Sequence, residues 1–207
     1  HFPEGYEALD KARNRLIFEE LFILQLGLLS LKSKTQTLKT ECVVKKDFSE
    51  EFFSHLPFSP TSAQVKAVGE AIGDMKSGEP MNRLLQGDVG SGKTAVAAAL
   101  IYTVVKNGYQ CAFMAPTEIL AQQHFRTCAA LFEKADIKIE LLTGSVTAAK
   151  KRALKERLKR GETDLVIGTH ALIQDDVEFK SLGLVITDEQ HRFGVKHRSA
   201  LSRKGDG

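Results

Sequence analysis

Between residues 87 and 94 the chain reads Gly87-Asp88-Val89-Gly90-Ser91-Gly92-Lys93-Thr94. This is the spacing G-x-x-x-x-G-K-[ST], in which a glycine-rich turn wraps an anion. The flanks constrain the fold as much as the loop does. Arg83-Leu84-Leu85 reads as a buried strand, and Ala95 to Val105 reads as a helix stopped by Asn107-Gly108. Strand, loop and helix N-terminus together aim backbone N–H groups and a helix dipole at one point, which favours bound phosphate. Lys93 is placed to reach the β- and γ-phosphates, and the Thr94 hydroxyl to hold Mg²⁺. The competing reading is a glycine-rich turn that binds nothing.

A second segment adds chemistry to binding. Gly183-Leu184-Val185-Ile186-Thr187 is an apolar run that ends in Asp188-Glu189-Gln190-His191. Ligands in open α/β sheets gather at the C-terminal ends of strands. Asp188 can therefore share the Mg²⁺ of Thr94, while Glu189 orients and deprotonates an attacking water. An Asp-Glu pair after a strand is by itself an ordinary solvated loop. The phosphate loop upstream gives it a role.

From Asp47 onward helical and strand patterns alternate, which argues for a parallel sheet flanked by helices. Helices are expected at Thr61 to Met75, Glu118 to Phe132 and Thr147 to Arg160. Strands are expected at Gln110 to Ala115, Lys138 to Thr143, Asp164 to Gly168 and Leu184 to Thr187. At 207 residues with 43% hydrophobic content, one α/β domain and an appendage can be built. The appendage is residues 1–46: a long helix over Glu7 to Leu31, then a Thr/Lys-rich linker. Ile17, Leu21, Leu24, Leu28 and Leu31 fall on one helical face, widened by Phe18, Phe22 and Leu29. The face packs on its own domain or serves as a strut whose partner covers it. The apolar run Phe22 to Leu31 is too short for a membrane span of about 20 residues.

A net charge of +3 leaves nucleic-acid affinity to local patches. The one basic stripe is Thr147 to Arg160, with Lys150, Lys151, Arg152, Lys155, Arg157, Lys159 and Arg160 against a single Glu156. It is either solvated surface or a phosphate-backbone contact. Cys42, Cys111 and Cys128 show no C-x-x-C spacing, so neither disulfide framework nor zinc site is expected, and a reducing cytoplasm fits. The chain opens on His1-Phe2-Pro3 without Met and reads as an internal piece of a longer protein.

Four ordered segments carry a family resemblance: Leu85 to Thr94; Ala115-Pro116-Thr117-Glu118-Ile119-Leu120-Ala121-Gln122-Gln123-His124; Ile167-Gly168-Thr169-His170-Ala171-Leu172; and Asp188 to Val195. With them the chain resembles the first RecA-like lobe of superfamily 2 DNA helicases, and among these the branch-migrating members. The opening His1-Phe2-Pro3 and Ala12 to Leu16 are similar to the stretch that joins a wedge domain to the motor. The resemblance implies a RecA-like P-loop fold over residues 47–207, ATP and Mg²⁺ as cofactors, and branched DNA as partner. It implies that Gln64, with Leu56-Pro57-Phe58 and Thr61, recognises adenine, although Pro60 stands where the family commonly has an aliphatic residue. It also implies that Pro116, Thr117, Glu118, Thr143, Gly144, Ser145, Thr169 and His170 hold the DNA backbone. Gln190 and His191 would couple nucleotide to DNA.

The transcription-repair coupling translocases share Arg192-Phe193-Gly194 but typically carry Glu where this chain has Gln190. A non-catalytic ATP- or DNA-binding module is the alternative from another class, and the complete set Lys93, Thr94, Asp188 and Glu189 speaks against it. The family's Ser/Thr-Ala-Thr segment, second lobe, arginine finger and wedge domain lie outside these 207 residues. The piece alone is therefore expected to be inactive.

Overall fold

The computed structural model describes residues 5–35, 39, 40 and 42–189, and side chains for all of these but 31–35. It divides into two units, His1–Lys39 and Thr40–Gly207. The first contains a single helix, α1 (Tyr6–Thr35). Ile17, Leu21, Leu24 and Leu28 share one face of it, as expected, but the apolar residues are not confined to that face. Leu16, Phe18, Leu21, Ile23, Leu24 and Leu26 are all exposed, and at ~100° per residue they surround the axis. No helix among the described residues is long and apolar enough to cross a membrane.

The second unit is built on a parallel sheet of β1 (Gln110–Met114), β2 (Ile139–Leu142), β3 (Leu165–Gly168) and β4 (Leu182–Thr187), in the order β2-β3-β1-β4. Alternation along β1 splits the core in two. Cys111 and Phe113 pack on one side with α2 (Ser49–His55), α3 (Ser62–Lys76), α4 (Lys93–Lys106) and α5 (Glu118–Leu131). Ala112 and Met114 face α6 (Ala148–Arg160) through Leu154 and Leu158. Helix α4 is buried on every side from Ala95 to Val104, as expected for a helix apolar all round. All four strands read from alternation are present. α2 and a 3-10 turn over His170–Ile173 are too short for periodicity to reveal.

One expected strand is absent. Residues 83–85 have no regular structure, and Leu84 is 71% exposed. A buried strand needs a hydrogen-bonded neighbour, and none of the four strands pairs with it. Arg83 is instead held by Glu70 at 2.7 Å and Asp74 at 2.8 Å. The end of the stretch read as linker packs into the second unit. Val44 is buried, and the N–H groups of Lys45 and Lys46 donate to Asn107 Oδ1 at 2.9 and 3.1 Å. Opposite β1, β4 carries an extra residue, Gly183. A Cβ there would meet Cys42 Sγ at 2.5 Å and Tyr109 Cβ at 2.6 Å, so a side chain does not fit. The three cysteines are free. Burial raises the thiol of Cys42 to about 11, that of Cys128 to about 12, and that of Cys111 well above its ordinary value.

Gln110 shows what a polar residue at a buried strand start can do. Its Nε2 donates to the carbonyls of Leu158 at 3.0 Å and Thr163 at 2.8 Å. Its Oε1 accepts from the N–H groups of Lys180 at 2.8 Å and Ser181 at 3.1 Å. One amide thus joins the end of α6 to the entry of β4. Gln110→Leu would leave these four backbone groups without their partner, at roughly 1–3 kcal/mol for each that water cannot reach. We expect a total loss of about 3–5 kcal/mol, seen in a thermal melt as a fall of about 6–20 °C.

Candidate nucleotide and nucleic-acid site

The phosphate loop takes its shape from two left-handed glycines, Gly90 at φ 80° and Gly92 at φ 78°. Gly92 is the N-cap of α4 and accepts from the N–H groups of Ala95 and Val96 at 2.9 and 3.3 Å. A Cβ on Gly92 would land on Gln64 Nε2. Ser91 N–H closes the turn onto Asp88 O at 3.2 Å, and Val89 at its tip is fully exposed. Lys93 folds back inside the loop, its Nζ donating to Gly87 O at 2.7 Å and Asp88 O at 2.8 Å. An ammonium encircled by a loop and set at a helix N-terminus is a fitting cradle for a phosphate chain.

Gln64 has two bonds that sequence reading did not foresee. Its Oε1 accepts from Thr61 N–H at 2.9 Å while Thr61 Oγ1 accepts from Gln64 N–H at 3.3 Å, a reciprocal cap that starts α3. Its Nε2 donates to Ser91 O at 3.0 Å, so the amide rests on the phosphate loop itself. The spacing Thr-x-x-Gln was the available signal for the cap. The contact with Ser91 is made across 27 residues and had none.

Asp188 and Glu189 stand at the end of β4, as expected. Asp188 N–H donates to Met114 O at 2.9 Å, which extends the ladder by one residue beyond the strand. Asp188 Oδ1 accepts from Glu189 N–H at 2.9 Å, and Oδ2 lies 2.8 Å from His124 Nε2. Glu189 adopts a left-handed φ of 47°, uncommon for a side chain of this kind. Among the described residues no three His, Cys, Asp or Glu side chains gather into a metal cage. The Asp188 carboxylate and the Thr94 hydroxyl are hard oxygen donors that suit Mg²⁺, which keeps much of its water and completes its shell from phosphate. Gln190 and His191, together with Arg192 to Val195 and His1-Phe2-Pro3, lie outside the described residues.

The residues expected on the DNA side share one edge of the sheet. Thr143 follows β2, Thr169 and His170 follow β3, and Pro116, Thr117 and Glu118 follow β1. The parallel register sets Leu142 and Met114 on either side of Gly168, which brings the three loops together. Thr117 is the N-cap of α5 and accepts from Leu120 N–H at 3.3 Å. Glu118 reaches to Gly144, where a Cβ would lie 2.5 Å from its Oε1. Thr143 Oγ1 bonds Ser145 Oγ at 2.9 Å, and His170 is exposed. The basic helix is more committed than its composition suggested. In α6, Lys155 pairs with Asp176, Arg157 with Glu140 and Lys159 with Glu178, while Lys151 Nζ donates to Gly144 O.

Residues 61–204 match the model of the DEAD/DEAH box helicase. The chain belongs to that family. Its sequence is 51% identical to the ATP-dependent DNA helicase RecG of Bacillus subtilis, over 99% of this chain and 30% of that protein. With the RecG of Thermotoga maritima identity is 52%, over 99% of this chain and 26% of the relative. The fold superposes on a structure of RecG bound to a three-way DNA junction with a TM-score of 0.86 at 50% identity, covering 94% of this chain and 27% of that one. The chain thus spans less than a third of the length of those two RecG proteins, and its RecA-like fold is the one found in RecG. The resemblance in the four motifs extends over the whole sequence.

Proposed function

We propose that this chain is the ATP-binding motor lobe of an ATP-dependent DNA helicase that acts on branched DNA, in fork reversal and Holliday junction branch migration. In that reading it works with a second RecA-like lobe and a wedge domain of the same protein. The observation that carries it is the common edge of the sheet. Asp188 at the end of β4 stands beside the loop of Pro116, Thr117 and Glu118 after β1, with Thr169 and Thr143 next along the row. A nucleotide-side carboxylate and a row of backbone-binding groups on adjacent strands suit a motor that links ATP to a DNA strand. Hydroxyls and backbone N–H groups position phosphates without reading sequence, as branch migration through any sequence requires.

Each residue has a part in this reading. The loop from Gly87 to Thr94 wraps the phosphates, and Lys93 Nζ exchanges its two carbonyl partners for phosphate oxygens. Gln64 leaves Ser91 to meet the adenine edge, where an amide both donates and accepts. Thr94 and Asp188 would hold Mg²⁺, which supplies charge stabilisation at the phosphates when bound. Glu189 takes the proton of the attacking water. His191 and Gln190 pass the state of the nucleotide to the DNA side. ATP turnover by the full-length protein, stimulated by a three-way junction far more than by linear duplex, is the test. Equal stimulation by both DNAs would set aside the branched substrate.

Lys93→Ala tests the phosphate site itself. Among the described residues its ammonium bonds to the Gly87 and Asp88 carbonyls of the loop, so the core of α4 and the sheet should stand. Replacing two charge-assisted bonds worth roughly 1.5–3 kcal/mol each should weaken nucleotide binding about 10²–10⁴-fold. Titration with a fluorescent ATP analogue, beside a thermal melt within a few degrees of the parent, checks both halves. Equal affinity in the two proteins would place the phosphates elsewhere.

A further inference from the structure

His124 has no part in the reading above, yet it is built into the nucleotide side of the lobe. It lies on α5 between Ala121 and Cys128, both fully buried, so it projects from the inner face of that helix. Its ring stacks on Phe113 of β1, centroids 4.5 Å apart and planes 28° from parallel. Its side chain is only 13% exposed, and Nε2 lies 2.8 Å from Asp188 Oδ2. A carboxylate oxygen accepts, so Nε2 is the donor. Asp188 is thereby gripped from two sides: Oδ1 by the N–H of Glu189 and Oδ2 by His124. Each oxygen keeps a further lone pair, enough to meet a cation.

We propose that His124 is a positioning residue that holds the Asp188 carboxylate in the orientation in which it receives Mg²⁺. The inference rests on the assignment of Asp188 as a metal ligand. An aspartate at a strand end, about one-third exposed, can rotate about two side-chain bonds. The backbone N–H of Glu189 follows any such rotation only within limits, because Glu189 is the next residue. A donor from another element fixes the carboxylate plane relative to the sheet, and the Phe113 stack fixes the donor. Groups that orient metal ligands in this way typically contribute 10–100-fold to metal affinity.

The test is Mn²⁺ binding to the full-length protein with a non-hydrolysable ATP analogue, followed by electron paramagnetic resonance and needing no turnover. H124F keeps the ring on Phe113 but has no donor. Its Mn²⁺ dissociation constant should rise about 10–100-fold, while analogue binding without metal stays at the parent value. H124Q can return an N–H to Oδ2 and should recover affinity to within a few-fold of the parent. Should H124F fail to fold, H124N carries the same test, because its shorter amide does not reach Asp188. D188N separates the two levels of the argument. Loss of Mn²⁺ in D188N with parental affinity in H124F, or in H124N in its place, would overturn the role of His124 alone. Parental Mn²⁺ affinity in D188N would overturn the assignment of Asp188 and the inference with it.

Discussion

Glu189→Gln is expected to bind ATP as the parent does and to lose turnover by roughly two to four orders of magnitude, the usual contribution of a general base. The substitution keeps shape and removes basicity. The bond that Glu189 makes to Asp188 comes from its backbone N–H and not its carboxylate. Asp188 therefore keeps that contact in the variant. The left-handed backbone at φ 47° is equally open to Glu and Gln, so no new strain enters. Single-turnover hydrolysis in the full-length protein, paired with equilibrium binding of an ATP analogue, separates chemistry from binding. Hydrolysis within tenfold of the parent would assign the base to another residue. Loss of binding in step with turnover would make Glu189 part of the nucleotide cradle instead.

The 207 residues on their own should hydrolyse ATP about 10³–10⁵-fold more slowly than a two-lobed helicase, and should not unwind DNA. Phosphoryl transfer needs positive charge on the γ-phosphate from the side opposite the loop, and an arginine finger is typically worth about 10³–10⁵ in rate. In this fold the loop face contributes Lys93, whose Nζ rests on Gly87 and Asp88 carbonyls, and the opposite charge is expected from a second lobe. The approach to the loop is also open. Val89 is fully exposed, and Leu84 and Leu85 are 71% and 39% exposed just ahead of it. Water that reaches the phosphates weakens each electrostatic contact. Unwinding fails for another reason, since stepping requires two bodies that close and open around ATP. Steady-state ATPase of the polypeptide with a three-way junction, over a range of protein concentrations, is the measurement. Turnover near that of an intact helicase at every concentration would sink this expectation, and turnover that grows with concentration would point to an arginine from a second copy.

Much of the second unit was legible in the sequence for physical reasons. Strands of a parallel sheet flanked by helices leave apolar runs, and β1, β2, β3 and β4 fall where those runs lie. Stop signals are local chemistry, so Asn107-Gly108 marks the end of α4. The phosphate loop is local too, because its conformation depends on glycines at fixed offsets. The match of residues 61–204 to the DEAD/DEAH box helicase and the 0.86 TM-score with RecG agree with the family that those motifs implied.

Pairing and packing are not local, and there only the tertiary structure decided. The apolar content of Leu84 and Leu85 asked for a strand, but a strand exists only if a neighbour offers its hydrogen bonds, and none among the described strands does. The charges of α6 looked free in a linear count. Three of them meet Asp176, Glu140 and Glu178 from segments 17 to 21 residues away in the chain or brought near by the fold. Gln64 on the phosphate loop and His124 on Asp188 span 27 and 64 residues. Motif chemistry follows from a few adjacent residue types and is therefore written in the sequence. Which distant donor meets which acceptor depends on how the sheet is ordered, and that order is set by the packing of the whole lobe.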